Sequence, residues 1–480
     1  MPQAEELKQK RLEKLQNIKE KGINPYPVFI KKHRKIKDVI SDFKEGNEVA
    51  LVGRILAMRT HGGSTFLNFS DGTGKFQAFL REDLLGKEAY QFFLKNIDIG
   101  DFLLFEGRLF LTKTKEKTIE VKNFEILAKA LFPIPSEWYG LEDVEERYRK
   151  RYLDLLINEE VKNKFILRSK ILSFTRKFFE KNGFIEVETP ILQKEAGGAA
   201  ATPFKTHLNA LNIDLYLRIA PEIYLKMLLV AGFDKVFEMG KVFRNEGVDR
   251  SHNPEFTSLE FYQAYTDYFS LMNLIENYFK ELTQTIFGKN EIEYQGKKIK
   301  FNFPFERVEF DDLLCEEIGA PPSKLTEKEI IKIGKAKEVP TEGKHPSKIL
   351  DGIFKKRCLQ KIWQPTFVLH QPVELTPLAK AREDNKKVAA RFQLVIAGWE
   401  VANGFSELND PLEQEERFRA EEILKKKGDL EAHPFDKEFL EALTYGMPPA
   451  AGCGIGMDRL CAILTNSQNI REIILFPLMK

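Results

Sequence analysis

Between residues 48 and 130 the chain reads as a close succession of short β-runs, and this patterning restricts its folding more than any other feature. VALVGRILAMR, STFLNFSDGTGKFQAFL, DFLLFEGRLFLT and KTIEVKNFEIL are β-rich and broken by Gly and Asp turns. About five short strands in roughly 80 residues predict a small barrel of the OB kind, whose strands and loops suit oligonucleotides. On STFLNF, alternation sets Phe66 and Leu67 on opposite faces. A Phe on a barrel strand usually belongs to the core; the sharper alternative is a platform on which a base stacks.

The flanking segments differ in character. Residues 1–47 read as a helical extension, with Leu7, Leu12, Leu15 and Ile18 near one helix face. Residues 131–152, stiffened by Pro133 and Pro135, read as a linker. From 153 to 480 the pattern is mixed, with a Lys-rich helical insertion near 309–365. The expected class is α+β: a barrel followed by a larger domain. In 480 residues, 43% hydrophobic and 30% charged, there is ample material for a core. The formal charge of +2 means that any nucleic acid must meet a local basic patch. The four cysteines form no CxxC pair, which argues against a zinc knuckle and for reduced thiols in a cytoplasm. No apolar run approaches the ~20 residues of a membrane span, so no membrane association is expected.

Three constellations carry chemistry. In KVFEMGKVFRNE, Arg244 and Glu246 are expected on one strand face, and in FTSLEFYQAY so are Glu260 and Tyr262. With the loop GVDRSHNP between them, the two runs predict a hairpin floor. Charges among so many apolar neighbours are costly to bury unless a polar ligand pairs them. In EVANGFSELNDP, alternation aligns Asn403, Phe405 and Glu407: an amide, an aromatic wall and a carboxylate, suited to an amphipathic cation. Glu400 is out of phase with these three and needs a bulge to join them. In AGCGIGMDRLCAILT, Gly452, Gly454 and Gly456 precede Arg459 at a strand-to-helix junction, where backbone can approach an anion. Two arginines, several acids and a glycine-rich approach suit a nucleoside triphosphate with Mg²⁺, yet no Walker or kinase signature is present.

These segments resemble the class II aminoacyl-tRNA synthetases. GFIEVETPIL is similar to motif 1, FRNEG…HNPEFT to motif 2 and GIGMDR to motif 3. RIAPEIYLK, NGFSELNDP and TNSQNIREIILFP resemble the lysyl-tRNA synthetase family in particular, and the likeness runs from about residue 10 to the end. The resemblance implies an OB-type barrel followed by a class II domain with an antiparallel sheet flanked by helices. It implies a homodimer, the substrates L-lysine and ATP with Mg²⁺, and the partner tRNA(Lys). Arg244 and Arg459 would be the catalytic pair. Arg244 would hold the α-phosphate and the lysine carboxylate; Arg459 would cover adenine and reach the γ-phosphate. Glu246, His252, Asn253 and Phe256 would contact ATP, and Glu400 would ligate Mg²⁺. Gly198 and Glu222 would meet the α-amino end of lysine, Asn403 its carboxylate and Phe405 its methylenes. Glu260, Tyr262 and Glu407 would take the ε-ammonium. In the barrel, Arg59, Phe66, Gln77 and Glu120 fall where relatives contact the anticodon.

Two departures accompany the likeness. Gln393 stands where relatives usually have an acid sharing Mg²⁺, which implies an altered Mg²⁺ dependence. Thr202 replaces a common Arg in the loop GGAAATPF. An aspartate- or asparagine-specific relative is disfavoured, since an aspartate site needs cations where this chain offers Glu260 and Glu407. A catalytically inactive RNA-binding relative is disfavoured by the two intact arginines.

Overall fold

The computed structural model describes residues 2–134, 143–426 and 432–479, and the chain divides into two compact units, 1–142 and 143–480. The proposed linker 131–152 lies partly outside the described residues. Its described end forms the helices Val144–Arg149 and Arg151–Ile157.

In the first unit, strands Glu48–His61, Ser64–Ser70, Lys75–Arg81, Phe102–Leu111 and Lys117–Ala128 close into a barrel. Alternation explains it: Leu67, Phe69, Phe76, Ala78, Leu80, Leu103 and Phe105 all point into one buried core. Closure leaves no sheet edge unpaired. The helix Pro2–Glu20 docks on this barrel through buried Ile18 and through Arg11, which donates to the carbonyls of Ile99, Ala130 and Phe132.

The second unit is built on eight strands, in the order Glu306–Glu309, Thr366–Leu369, Arg391–Ile396, Trp399–Ser406, Ala450–Gly456, Glu255–Ala264, Lys235–Phe243 and Ile185–Glu186. The six inner strands are antiparallel, as expected; the strand at each edge pairs in parallel. One face carries Phe237, Leu259 and Phe261, covered by Phe178 and Phe179 of helix Glu159–Lys181 and by Tyr278 and Phe279 of helix Tyr268–Phe287. Each such aromatic stabilises the fold by about 1.5–3 kcal/mol. That reserve allows the opposite face to carry charge.

The segment 309–365 is a crossover between two parallel neighbours, Glu306–Glu309 and Thr366–Leu369. Helices Phe310–Ile318, Glu327–Ala336 and Pro346–Ile353 bury Phe310, Leu314, Ile349 and Ile353 against Val368 and Val395 of the sheet. The capping box Thr326–Glu329 starts the middle helix.

Candidate active site

The charged sheet face opens into a cavity of about 640 Å³. Its wall includes Gly198, Glu222, Arg244, Glu246, His252, Asn253, Phe256, Glu260, Tyr262, Glu400, Asn403, Phe405 and Arg459, which sequence reasoning had assigned to ATP or lysine. Glu407 is not in that wall; it lies behind Tyr262, 99% buried.

The hairpin forms with one correction. The strand ends at Phe243, so Arg244 and Glu246 do not share a strand face. Arg244 still donates its N–H to the Pro254 carbonyl, but Glu246 N–H turns back onto the Arg244 carbonyl at 2.9 Å and the chain leaves the sheet. Arg244 lies 5.2 Å from the Phe256 ring centroid, and its Nε has no hydrogen-bond acceptor among the described residues. Burial holds the Arg244 pKa below the usual arginine range, against the pull of Glu246 and Glu260. An anion is what this guanidinium lacks.

Opposite, Arg459 lies in the first turn of helix Met457–Leu464, donating to the Glu400 carbonyl at 3.0 Å and meeting His252 Nε2 at 3.1 Å. His252 Nδ1 faces Asp249 at 2.8 Å. Neighbouring Asp458 is tied down by Arg168 at 2.7 Å and by the Thr257 N–H at 3.0 Å. This anchors helix Met457–Leu464 to helix Glu159–Lys181 and to strand Glu255–Ala264.

Carboxylates gather at the other end. Glu260 is opposite Glu238 across the hairpin, so both side chains share a face. Arg218 pairs with Glu238. Glu260 makes no ion pair among the described residues; its partner is the Tyr262 hydroxyl at 3.3 Å. Burial, with Glu222 adding to it, pushes the Glu260 carboxyl up to about 8. Gly198, at φ +89°, packs where a Cβ would come 2.9 Å from Cβ of Glu222, so a side chain there would clash. Asn403 accepts from Arg391 Nε at 2.9 Å, which fixes its amide.

Within the barrel, Arg59, Phe66, Phe79 and Glu120 are consecutive cross-strand neighbours and therefore share one face. Phe66 is 36% exposed and stacks on Phe79, with centroids 4.2 Å apart. Gln77, two residues before Phe79, lies on the same face and accepts from Thr118 at 2.8 Å. Arg81 reaches Glu120 at 3.3 Å.

Comparison with known proteins follows the same division. Residues 143–480 match the family described as tRNA synthetases class II (D, K and N), and residues 49–127 match the OB-fold nucleic acid binding domain. A lysine–tRNA ligase of Thermosipho africanus is 44% identical over 99% of this chain and 96% of its own length. One from Carboxydothermus hydrogenoformans is 45% identical over 99% and 98%. The chain belongs to the class II lysine–tRNA ligase family.

Within this class II framework, several residues in and behind the wall were missed by sequence reasoning. Lys344, Lys348, Asp351 and Lys355 reach the cavity from the helical crossover. Arg391 is buried beneath Asn403, and Lys226 stands between two of the predicted acids. Only Lys226 had a signal available, its position one helical turn after Glu222. Among the described residues no helix is long and apolar enough to cross a membrane.

Proposed function

We propose that this chain activates L-lysine with ATP and transfers the lysyl group to the 3′-terminal adenosine of tRNA(Lys). One observation carries the reading. Buried Glu222 and Glu407 share a single ammonium, Lys226, and buried Glu260 has no ion pair among the described residues, so with all three acids ionised the site is short of two positive charges, the number on the two amino groups of lysine. Arg244 stands ready for the carboxylate.

Glu222 takes the α-ammonium, Glu260 and Tyr262 the ε-ammonium with Glu407 behind them, and Phe405 lies along the methylenes. Arg244 holds the lysine carboxylate beside the α-phosphate, while Phe256 and Arg459 sandwich adenine. The carboxylate attacks the α-phosphorus and pyrophosphate leaves; no base is needed, because the nucleophile is already ionised. The ribose hydroxyl of tRNA then attacks the lysyl carbonyl and AMP leaves. Positioning and the two arginines supply the stabilisation of charge on phosphate.

A Mg²⁺ entering with ATP would be held by Glu400, the residues present offering it a single carboxylate of the proposed set. Among the described residues no three acids or histidines gather to form a metal site. Glu400 is the carboxylate on offer, and Gln393 is a neutral neighbour whose Oε1 accepts from Gln371 at 3.2 Å. When bound, the ion would neutralise developing phosphate charge.

Arg59, Phe66, Gln77 and Glu120 read the anticodon. Two chains pair through the motif 1 region, which leaves Ile185, Ile191 and Leu192 exposed. The enzyme works in the cytoplasm. ATP–pyrophosphate exchange with a panel of amino acids tests the reading: lysine should drive exchange, and exchange driven by aspartate, or by none, would displace it.

A further inference from the structure

Lys226 is an uncommon side chain for its place. It lies on the apolar helix Glu222–Val230, is 0% exposed and does not line the cavity. Its Nζ is 2.6 Å from Glu222 Oε1, one helical turn back, and 2.5 Å from Glu407 Oε2, just past the end of strand Trp399–Ser406. The rings of Phe405 and Phe439 lie 5.4 and 5.8 Å from the ammonium. Burying an ammonium is costly unless its surroundings compensate. Here they overcompensate, since two carboxylates meet one cation and Glu260 stands nearby without an ion pair among the described residues.

We infer that Lys226 is a positioning residue for substrate selection: a fixed internal cation that orients Glu222 and Glu407 and sets the pocket's charge shortfall at two. The inference rests on the lysine reading above and deepens it. Without Lys226 the same three carboxylates would be short of three charges, one more than a diamino acid supplies. One carboxyl would then keep its proton, or the acids would swing apart. With Lys226 in place, each ammonium of the substrate meets a carboxylate already held in position.

The groups facing Lys226 make its influence readable through pH. They are Glu222 on its own helix, Glu407 after the neighbouring strand, and His433, which burial and then Lys226 push down to about 4; Tyr262 and Glu260 on the hairpin adjoin Glu222 rather than Lys226 itself. Burial pushes Glu407 up to about 8 and also raises Glu222, and in both cases Lys226 works against the rise. Removing the ammonium therefore moves both carboxyls further up, and lysine affinity, which needs them ionised, should develop at higher pH.

The test measures KM for lysine and for ATP across pH 6–9.5 in lysine-dependent exchange, using the full chain with Lys226→Met, Lys226→Gln and Lys226→Arg. For Met and Gln we expect lysine KM to rise about tenfold at neutral pH, with the pH profile displaced alkaline by about one unit and ATP KM nearly constant. Lys226→Arg, which keeps the charge, should retain the wild-type profile. If Met fails to fold, as judged by melting, Gln and Arg still decide. Loss of melting temperature with an undisplaced profile in Met or Gln would reduce Lys226 to packing and overturn the inference. Absence of lysine-driven exchange in the wild type would instead sink the functional reading itself.

Discussion

At the scale of single residues, Glu260 shows how the site trades stability for recognition. Its carboxyl is buried, answered only by the Tyr262 hydroxyl among the described residues, and pushed up to about 8 by burial first and Glu222 second. A folded-state pKa above the unfolded value means that the folded chain binds more protons between about pH 4.5 and 8. Stability without ligand therefore falls as pH rises through that window, by up to about 1.4 kcal/mol per unit from this group. Glu260→Gln removes the charging demand. The ligand-free variant should melt higher than wild type at pH 8 and nearly level with it at pH 5. Its lysine KM should rise on the order of ten- to a hundredfold, because an ammonium loses a charged acceptor. Equal melting at both pH values together with an unchanged lysine KM would contradict the assignment. Alternation alone made Glu260 and Tyr262 legible as neighbours on one face. It misplaced Arg244 and Glu246, because nothing in a β-pattern announces that a strand ends at Phe243 and turns back on itself. The importance of Lys226 was hidden for a different reason: an i,i+4 Glu–Lys pair reads the same in solvent as in a core.

Among the elements, the strand Ala450–Gly456 separates two meanings of glycine. Its GxGxG pattern reads in sequence as a backbone left bare for a ligand. The structure gives Gly452 another reason: a Cβ there would collide with the Tyr262 ring and stand 2.6 Å from Glu407 Oε1, so the glycine makes room for these two side chains. At Gly454 a Cβ would meet Glu260 Cγ at 3.5 Å, an ordinary contact. Gly452→Ala should force Tyr262 aside, cost about 1–3 kcal/mol of stability and raise lysine KM more than ATP KM. Gly454→Ala should leave both constants close to wild type. Thermal melting and exchange kinetics on the pair check this, and equal damage from both substitutions would show that bare backbone, rather than room for Tyr262, is what the strand requires. The helical crossover was visible as helix-patterned, Lys-rich sequence. Its contribution to the cavity was not, because that depends on two parallel strands pairing across more than fifty residues.

On the scale of the whole molecule, the chain keeps two kinds of recognition in two compact units. The barrel's strands were legible because a closed sheet with one buried face writes a strict alternation into sequence. Its exposed face was not, since a Phe on a barrel strand can point inward as readily as outward, and only the exposure of Phe66 beside its cross-strand neighbour Phe79 decides between them. With a formal charge of only +2, tRNA cannot be drawn by the molecule as a whole, and local contacts must carry binding. Phe66 is the contact proposed above: 36% exposed, stacked on Phe79 and flanked by Arg59. Truncating it leaves the barrel core of Leu67, Phe69 and Phe105 untouched. Phe66→Ala should raise KM for tRNA in aminoacylation by about five- to a hundredfold, the worth of one stacked base, while lysine-dependent exchange without tRNA stays within about twofold. The residues proposed to form the adenylate all lie between 198 and 459, within the second unit, so on that reading exchange has no need of the barrel platform. A parallel fall in both activities would mean that Phe66 supports the fold of the whole chain instead of holding a base.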